Sequence, residues 1–190
     1  VLVLFNGGMH IGPARFRAAA APILSVGVLG TALTAAGAAL MLHYVCGINW
    51  YAAVLVATAV APTDPAVVFS VLGKREISGR SSTILEGESG ANDPVGISLM
   101  ASLIAAGGLS AAGFASVGAQ FVLQMAIGGA VGVSGGRALL VFMRRVALPS
   151  EGLYPLRTLA SALMLYGIAT LAHGSGFLAV FVAGIVIGDA

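Results

Sequence analysis

The stretch AAAAPILSVGVLGTALTAAGAALMLHYVCG, Ala18 to Gly47, contains no Asp, Glu, Lys or Arg from one end to the other. A helix needs about 20 apolar residues to cross roughly 30 Å of hydrocarbon, and this run exceeds that. In lipid every backbone N–H and C=O must be satisfied within the protein, which leaves helices and closed barrels as spanning structures. Barrel strands announce themselves as short alternating segments. This run is instead continuous in Ala, Gly, Leu and Val, so it reads as a transmembrane helix. The rest of the chain agrees: hydrophobic residues make up 58% and charged residues 8%, against roughly 25% charged residues in a soluble domain. The mean hydropathy is +1.01. The expected fold class is all-α, a polytopic transmembrane helical bundle.

Working outward from Ala18 to Gly47, apolar windows separated by Gly, Pro and charge clusters predict about seven spans, at 1–12, 20–46, 50–72, 82–106, 115–143, 154–172 and 176–190. The connections alternate in charge. The first carries Arg15 and Arg17, the third Lys74, Arg75 and Arg80, and the fifth Arg144 and Arg145, with Arg137 and Arg157 nearby. The second, fourth and sixth carry no Lys or Arg, so all nine basic residues fall on one side, as the positive-inside rule requires of cytoplasmic loops. The net charge of +2 is too thinly spread for a nucleic-acid surface. Cys46 is alone, which excludes an internal disulfide, and no Cys/His metal cluster is visible. Val1 opens inside an apolar run with no charged leader, and Ala190 ends inside another, so both ends are expected to be cut through helices.

Seven acidic residues remain to be placed. Glu76 and Glu151 fall in cytoplasmic loops and Asp189 near the end. Asp64 lies in Ala61-Pro62-Thr63-Asp64-Pro65, and Asp93 in Glu86-Gly87-Glu88-Ser89-Gly90-Ala91-Asn92-Asp93-Pro94. Consecutive antiparallel helices normally pack together, so the two carboxylates are expected to meet near the bilayer midplane. A carboxylate there costs on the order of 3 kcal/mol or more and usually lines an ion or proton pathway. Thr63, Asp64, Ser89, Asn92 and Asp93 all offer oxygens to a dehydrated monovalent cation. On a helix Ser89 and Asp93 share a face with Glu86, while Glu88 and Asn92 form the adjoining one. Pro62 and Pro65 bracket the Thr-Asp pair and free backbone carbonyls as further ligands. Burial penalises a charged carboxylate and neighbouring acids resist ionising together, so the same groups bind protons. Competition between proton and cation at one site that reaches either side is exchange. Gly128-Gly129 and Gly135-Gly136 suit close helix packing.

The segment Ala61 to Leu99, with Thr63-Asp64-Pro65 followed by Glu86 to Pro94, resembles the monovalent cation:proton antiporter-1 family, the NhaP-like sodium/proton exchangers. Gly176-Phe177-Leu178-Ala179-Val180-Phe181-Val182-Ala183-Gly184 looks like a later helix of that family and Phe5-Asn6-Gly7-Gly8 like an earlier one, so the similarity runs the length of the chain. The resemblance implies an antiporter fold of about thirteen helices, a core domain moving against a dimerisation domain, and a homodimer of the full-length protein in the cell membrane. It makes Asp93 the principal carrier of cation and proton, Asp64 its partner, and Thr63 and Ser89 additional ligands. Asn92 becomes the family's Asn of the Asn-Asp pair, which goes with electroneutral exchange. Glu88 is implied to pair with an Arg on a later helix outside this sequence. The first-span position where many relatives carry an acid is Asn6.

For Thr63, Ser89 and Asn92, local backbone bonding competes with ligation. Glu86 lies nearer the cytoplasmic end, at a position that either stays solvated or draws cations to an entrance. His10, His43 and His173 are isolated and receive no role. The expected activity is antiport of sodium for protons, with potassium or lithium as alternatives that the same oxygens serve, and with no cofactor. An intramembrane aspartyl protease also needs two aspartates on neighbouring helices, but the Gly-x-Gly-Asp setting is absent from Ala91-Asn92-Asp93 and Pro62-Thr63-Asp64. A passive channel calls for a repeated filter, and none is present. The isolated chain is expected not to transport.

Overall fold

The computed structural model describes residues 1–64, 79–108, 110–146 and 148–188, excepting the side chains of Ala111 and Ala112. Pro65, Lys74, Arg75, Glu76 and Asp189, and the last part of the 50–72 span, lie outside the described residues. Every regular element among the described residues is a helix. In chain order these are α1 (Leu2–Leu24), a π-helical turn (Ser25–Gly30), α2 (Thr31–Tyr44), α3 (Trp50–Val60), α4 (Arg80–Ala106), α5 (Ala111–Arg145), α6 (Leu153–Leu171) and α7 (Gly176–Ile187).

The helical stretch Leu2–Tyr44 is 43 residues long. Drawn straight at 1.5 Å per residue it would reach about 65 Å, roughly twice the hydrocarbon thickness. It is not straight. Gly12 sits at φ 66, ψ 166 and breaks α1, a conformation that glycine adopts without steric cost, and Pro13 follows where a missing N–H does no harm. The Arg15 guanidinium donates back to the His10 carbonyl and so caps the end of the first half. Residues 13–19, read from the sequence as a connection, are therefore helical, with Arg15 and Arg17 exposed on the helix. Leu2–Tyr44 and Gly113–Arg145 are each long and apolar enough to cross a membrane, while α3 and α7 are shorter apolar helices.

The chain divides into two compact units, one of Val1–Ala18 with Gln124–Ala190 and the other Ala19–Leu123. In the first, α7 is enclosed, with Ala179, Val180, Phe181 and Ala183 at most 2% exposed. Backbones meet where side chains are missing. Gly184 lies against the Phe5 carbonyl and Gly8 against the carbonyl of Phe181, so that a Cβ at either position would strike main chain. On α5, Gly128, Gly132 and Gly136 repeat every four residues and meet Ser175, Ala179 and Ala183 in turn. Gly129 faces open space, and Gly135 meets Leu165. Ser175 caps α7 by accepting from Leu178 N, and its own N–H reaches the Gln124 carbonyl at 2.9 Å.

In the second unit α2 and α3 pack as a hairpin. Asn49 caps α3 by accepting from Ala52 N at 2.9 Å, and the His43 ring stacks on Trp50 at 4.1 Å between centroids. The long helix α4 packs against the π-helical turn and α3. Three glycines allow that approach. Gly27 lies under Ala91 and the Glu88 carbonyl, Gly87 under Ile23, and Gly96 under Pro62, where an added Cβ would be 2.5 Å from the proline Cγ. The π-helical turn widens the helix at Gly27, and Thr31 Oγ1 donates to the Gly27 carbonyl at 2.7 Å.

Candidate cation-binding site

The second unit holds all the acids singled out in the two motifs. Their arrangement starts with α3. Pro62 has no N–H to offer the Thr58 carbonyl, so the helical ladder cannot continue. Regular helix stops at Val60, Ala61 is the cap, and Thr63 and Asp64 follow in non-helical chain at the surface of the unit. The end of α3 lies beside the middle of α4, where Pro94 is accommodated inside a helix that runs on to Ala106. Pro94 likewise denies a donor to the Gly90 carbonyl. The two proline interruptions therefore flank the two aspartates.

Asn92 is the anchor of the site. Its side chain is fully buried, and Nδ2 donates to Glu88 Oε1 at 2.9 Å, to Thr63 Oγ1 at 2.9 Å and to the Thr63 carbonyl at 3.1 Å. With two N–H groups to share, one serves Glu88 and the other is divided between the Thr63 oxygens. The Thr63 hydroxyl donates in turn to Glu88, at 3.2 Å and 3.3 Å from its two carboxylate oxygens. The non-helical residues after α3 are thus tied to α4, and the bonds to the Glu88 carboxylate are of the stronger, charge-assisted kind. Glu88, which the family resemblance pairs with an arginine on a helix outside the sequence, is here held by Thr63 and Asn92. The sequence offered the i, i+4 relation of Glu88 and Asn92 as a signal for this. It offered none for Thr63 closing the triangle.

Asp93 follows Asn92 by one residue and so projects about 100° further around the helix, half-buried. The charged groups acting on it within this unit are Asp64 and Glu88. Thr63, next to Asp64, is bonded to Asn92, next to Asp93, so the two motifs are brought together at this point. Ser89 is half-buried one turn before Asp93 on the same face. Glu86, also half-buried, accepts from Ser82 on its own helix at 3.2 Å. The site therefore offers two neighbouring carboxylates, a hydroxyl and freed carbonyls, a hard-oxygen set suited to an alkali cation rather than to a transition metal. By contrast, a cavity of about 600 Å³ in the first unit is lined by apolar side chains of α5 and α6 with Arg157 and Ser161, a setting that repels cations.

All of residues 1–190 match the family described as sodium/hydrogen exchanger, transmembrane. The chain belongs to this family. The chain is similar to the K(+)/H(+) antiporter NhaP of Alkalimonas amylolytica, 36% identical over 192 residues, covering 100% of this chain and 33% of that protein. The K(+)/H(+) antiporter NhaP2 of Shewanella oneidensis is 34% identical over 197 residues, covering 99% of this chain and 33% of its own. The low-affinity Na(+)/H(+) antiporter NhaS1 of Synechocystis is 33% identical over 173 residues, covering 88% and 32%. The chain thus spans about a third of the length of the curated relatives it matches. This exchanger-family chain is part of a membrane protein, and the relatives are named as transporters.

Proposed function

We propose that the full-length protein exchanges a monovalent cation for protons across the cell membrane, with Asp93 carrying both in alternation and Asp64 as its partner. The observation that supports this reading is the bonding of Thr63, next to Asp64, to Asn92, next to Asp93, which joins the two acid-bearing motifs. Thr63 and Ser89 complete the ligand set. Asn92 and Glu88 brace the end of α3 so that Asp64 keeps its position facing α4. Because Asn92 is neutral, the site has no third carboxylate directly before Asp93, which supports electroneutral exchange. Glu86 attracts cations from the cytoplasmic side. The protein works as a homodimer among membrane lipids, needs no cofactor, and serves pH and cation homeostasis.

Sodium is the ion suggested by the motif. Potassium is the second reading, favoured by the names of the relatives at 36% and 34% identity. A proton flux assay on the full-length parent in sealed vesicles with a preset pH gradient tests both. Flux triggered by one added cation and absent in Asp93→Ala is the expected result and names the ion. Undiminished flux in Asp93→Ala would sink the assignment of the carrier.

A further inference from the structure

Among the described residues, two buried side-chain oxygens lack a hydrogen-bond partner, Thr58 Oγ1 and Asn92 Oδ1, and both lie on the seam between α3 and α4. Thr58 is 1% exposed and Asn92 0%. The orientation of the Asn92 amide is decided by chemistry. Glu88 Oε1 and the Thr63 carbonyl are acceptors, so the nitrogen must face them and Oδ1 must point away. Asn92 meets Thr63, and Gly96, one turn on, lies against Pro62 and the Thr58 carbonyl. That carbonyl is the one from which Pro62 withholds its helical donor.

A buried oxygen without a partner is costly, and a threonine in a helix can usually satisfy its hydroxyl by donating to the preceding turn. Thr58 does not do so. The seam therefore presents a hydroxyl and an amide oxygen without a partner and a carbonyl deprived of its helical donor, all uncharged. The absence of a side chain at Gly96 leaves the Thr58 carbonyl uncovered, and its Cβ position would otherwise be 3.7 Å from that oxygen.

We propose that Thr58 Oγ1, the Thr58 carbonyl and Asn92 Oδ1 form a second, neutral oxygen station for the transported monovalent cation, about one turn nearer the N-terminal end of α3 than the Asp64–Asp93 pair. A cation leaving the carboxylates toward that end exchanges charged ligands for neutral ones before it regains water. Neutral oxygens in a rigid seam discriminate between alkali cations by cavity size without binding a proton, so Thr58 becomes a specificity-determining residue. The inference rests on the exchange reading above.

The test uses the full-length parent in sealed vesicles, comparing wild type, Thr58→Val and Thr58→Ser for cation-triggered proton flux with sodium, potassium and lithium in turn. Valine keeps the branched shape and removes the hydroxyl. The expected result is an apparent KM raised roughly fivefold to tenfold, the scale of one lost oxygen partner, with an altered ratio among the three cations and a maximal rate kept within about twofold. Thr58→Ser restores the wild-type KM. Unchanged KM and ratios in Thr58→Val overturn the station and mean that the oxygens hold only a water. Should Thr58→Val fail to insert, stabilisation against heat by each cation is compared between wild type and Thr58→Ala, and identical cation rankings with identical half-saturation overturn the proposal equally. Absence of any cation-triggered flux in wild type would instead count against the exchange reading itself.

Discussion

The seam between α3 and α4 and the seam between α5 and α7 use the same device for opposite ends. In both, glycines let backbones approach closely, as is common in membrane helices where van der Waals packing replaces a hydrophobic driving force. Along α5, Gly128, Gly132 and Gly136 meet a fully apolar helix whose residues Ala179, Val180 and Ala183 are wholly enclosed. Along α4, Gly87 and Gly96 approach Ile23 and Pro62, but between them sit Glu88, Asn92 and Asp93, and the facing helix ends there. One seam brings its glycines against Ser175, Ala179 and Ala183, none of them charged. The other gives up helical bonds at Pro62 and Pro94 and gathers carboxylates. Close packing marks a transmembrane interface of any kind, whereas polar groups at a broken helix mark the place where an ion is handled.

The largest effect expected from this contrast separates transport from stability. In the full-length parent, Asp64→Ala and Asp93→Ala are each expected to reduce cation-triggered proton flux to that of protein-free vesicles, while in Asp93→Ala the unfolding temperature in detergent stays at or above that of wild type, because the like charges of Asp64 and Glu88 act on Asp93 and its removal relieves repulsion. Gly184→Ala should do the reverse. Its Cβ would strike the Phe5 carbonyl, and overpacking against main chain costs typically 1–3 kcal/mol, read as a lower unfolding temperature with little change in cation KM. Gly129→Ala, which meets open space, is the control within about 0.5 kcal/mol. If Gly184→Ala altered cation selectivity while leaving the fold intact, the division between the seams would break.

A smaller effect belongs to the bracing triangle. Asn92→Leu keeps the size of the side chain but removes the donors to Glu88 and Thr63. The Thr63 carbonyl and Glu88 then lose a partner, at a cost of about 1–3 kcal/mol, and Asp64 loses the tie that fixes its position. Thermal unfolding should show the loss and cation KM should rise. A purely structural role would lower stability and leave KM alone.

Much of this was legible in the sequence because composition and motif are local. The all-helical membrane class follows from Ala18 to Gly47, and the 82–106 window lies two residues inside the start of α4, Arg80–Ala106. The two aspartates stand out because Pro62 and Pro94 sit beside them in apolar surroundings. What was not legible depends on chain segments distant in sequence. The π-helical turn at Ser25–Gly30 has no residue signature, since Gly, Val and Leu serve an α-helix equally well, and it arises where Gly27 seats against α4. The break at Gly12 falls where the predicted 1–12 span ends, but the continuation of helix through Arg15 and Arg17 was not legible, because charged residues at a span boundary read as a loop. Thr63 bonding to Glu88 follows only once the end of α3 is laid across α4. The same is true of Thr58, whose sequence neighbours are Ala57 and Ala59 and which gains meaning only from facing Gly96.

The smallest prediction compares the helix caps of the two units. Asn49 and Ser175 do the same local work, each accepting from the backbone N–H three residues on. Their surroundings differ. Asn49 is exposed in the α2–α3 hairpin, so water can replace it when it is changed to Ala. Ser175 is 5% exposed, seated on Gly128, with its own N–H committed to the Gln124 carbonyl. Removing its hydroxyl strands the Leu178 N–H where water has little access. Loss of a cap costs between about 0.5 and 2 kcal/mol, and Asn49→Ala should fall near the lower end and Ser175→Ala near the upper, measured as unfolding temperatures of the full-length protein under one set of conditions. Equal losses would mean that the interior of the first unit is wetter than its apolar packing implies, and the contrast between a dry seam and an ion-handling one would then have to rest on charge alone.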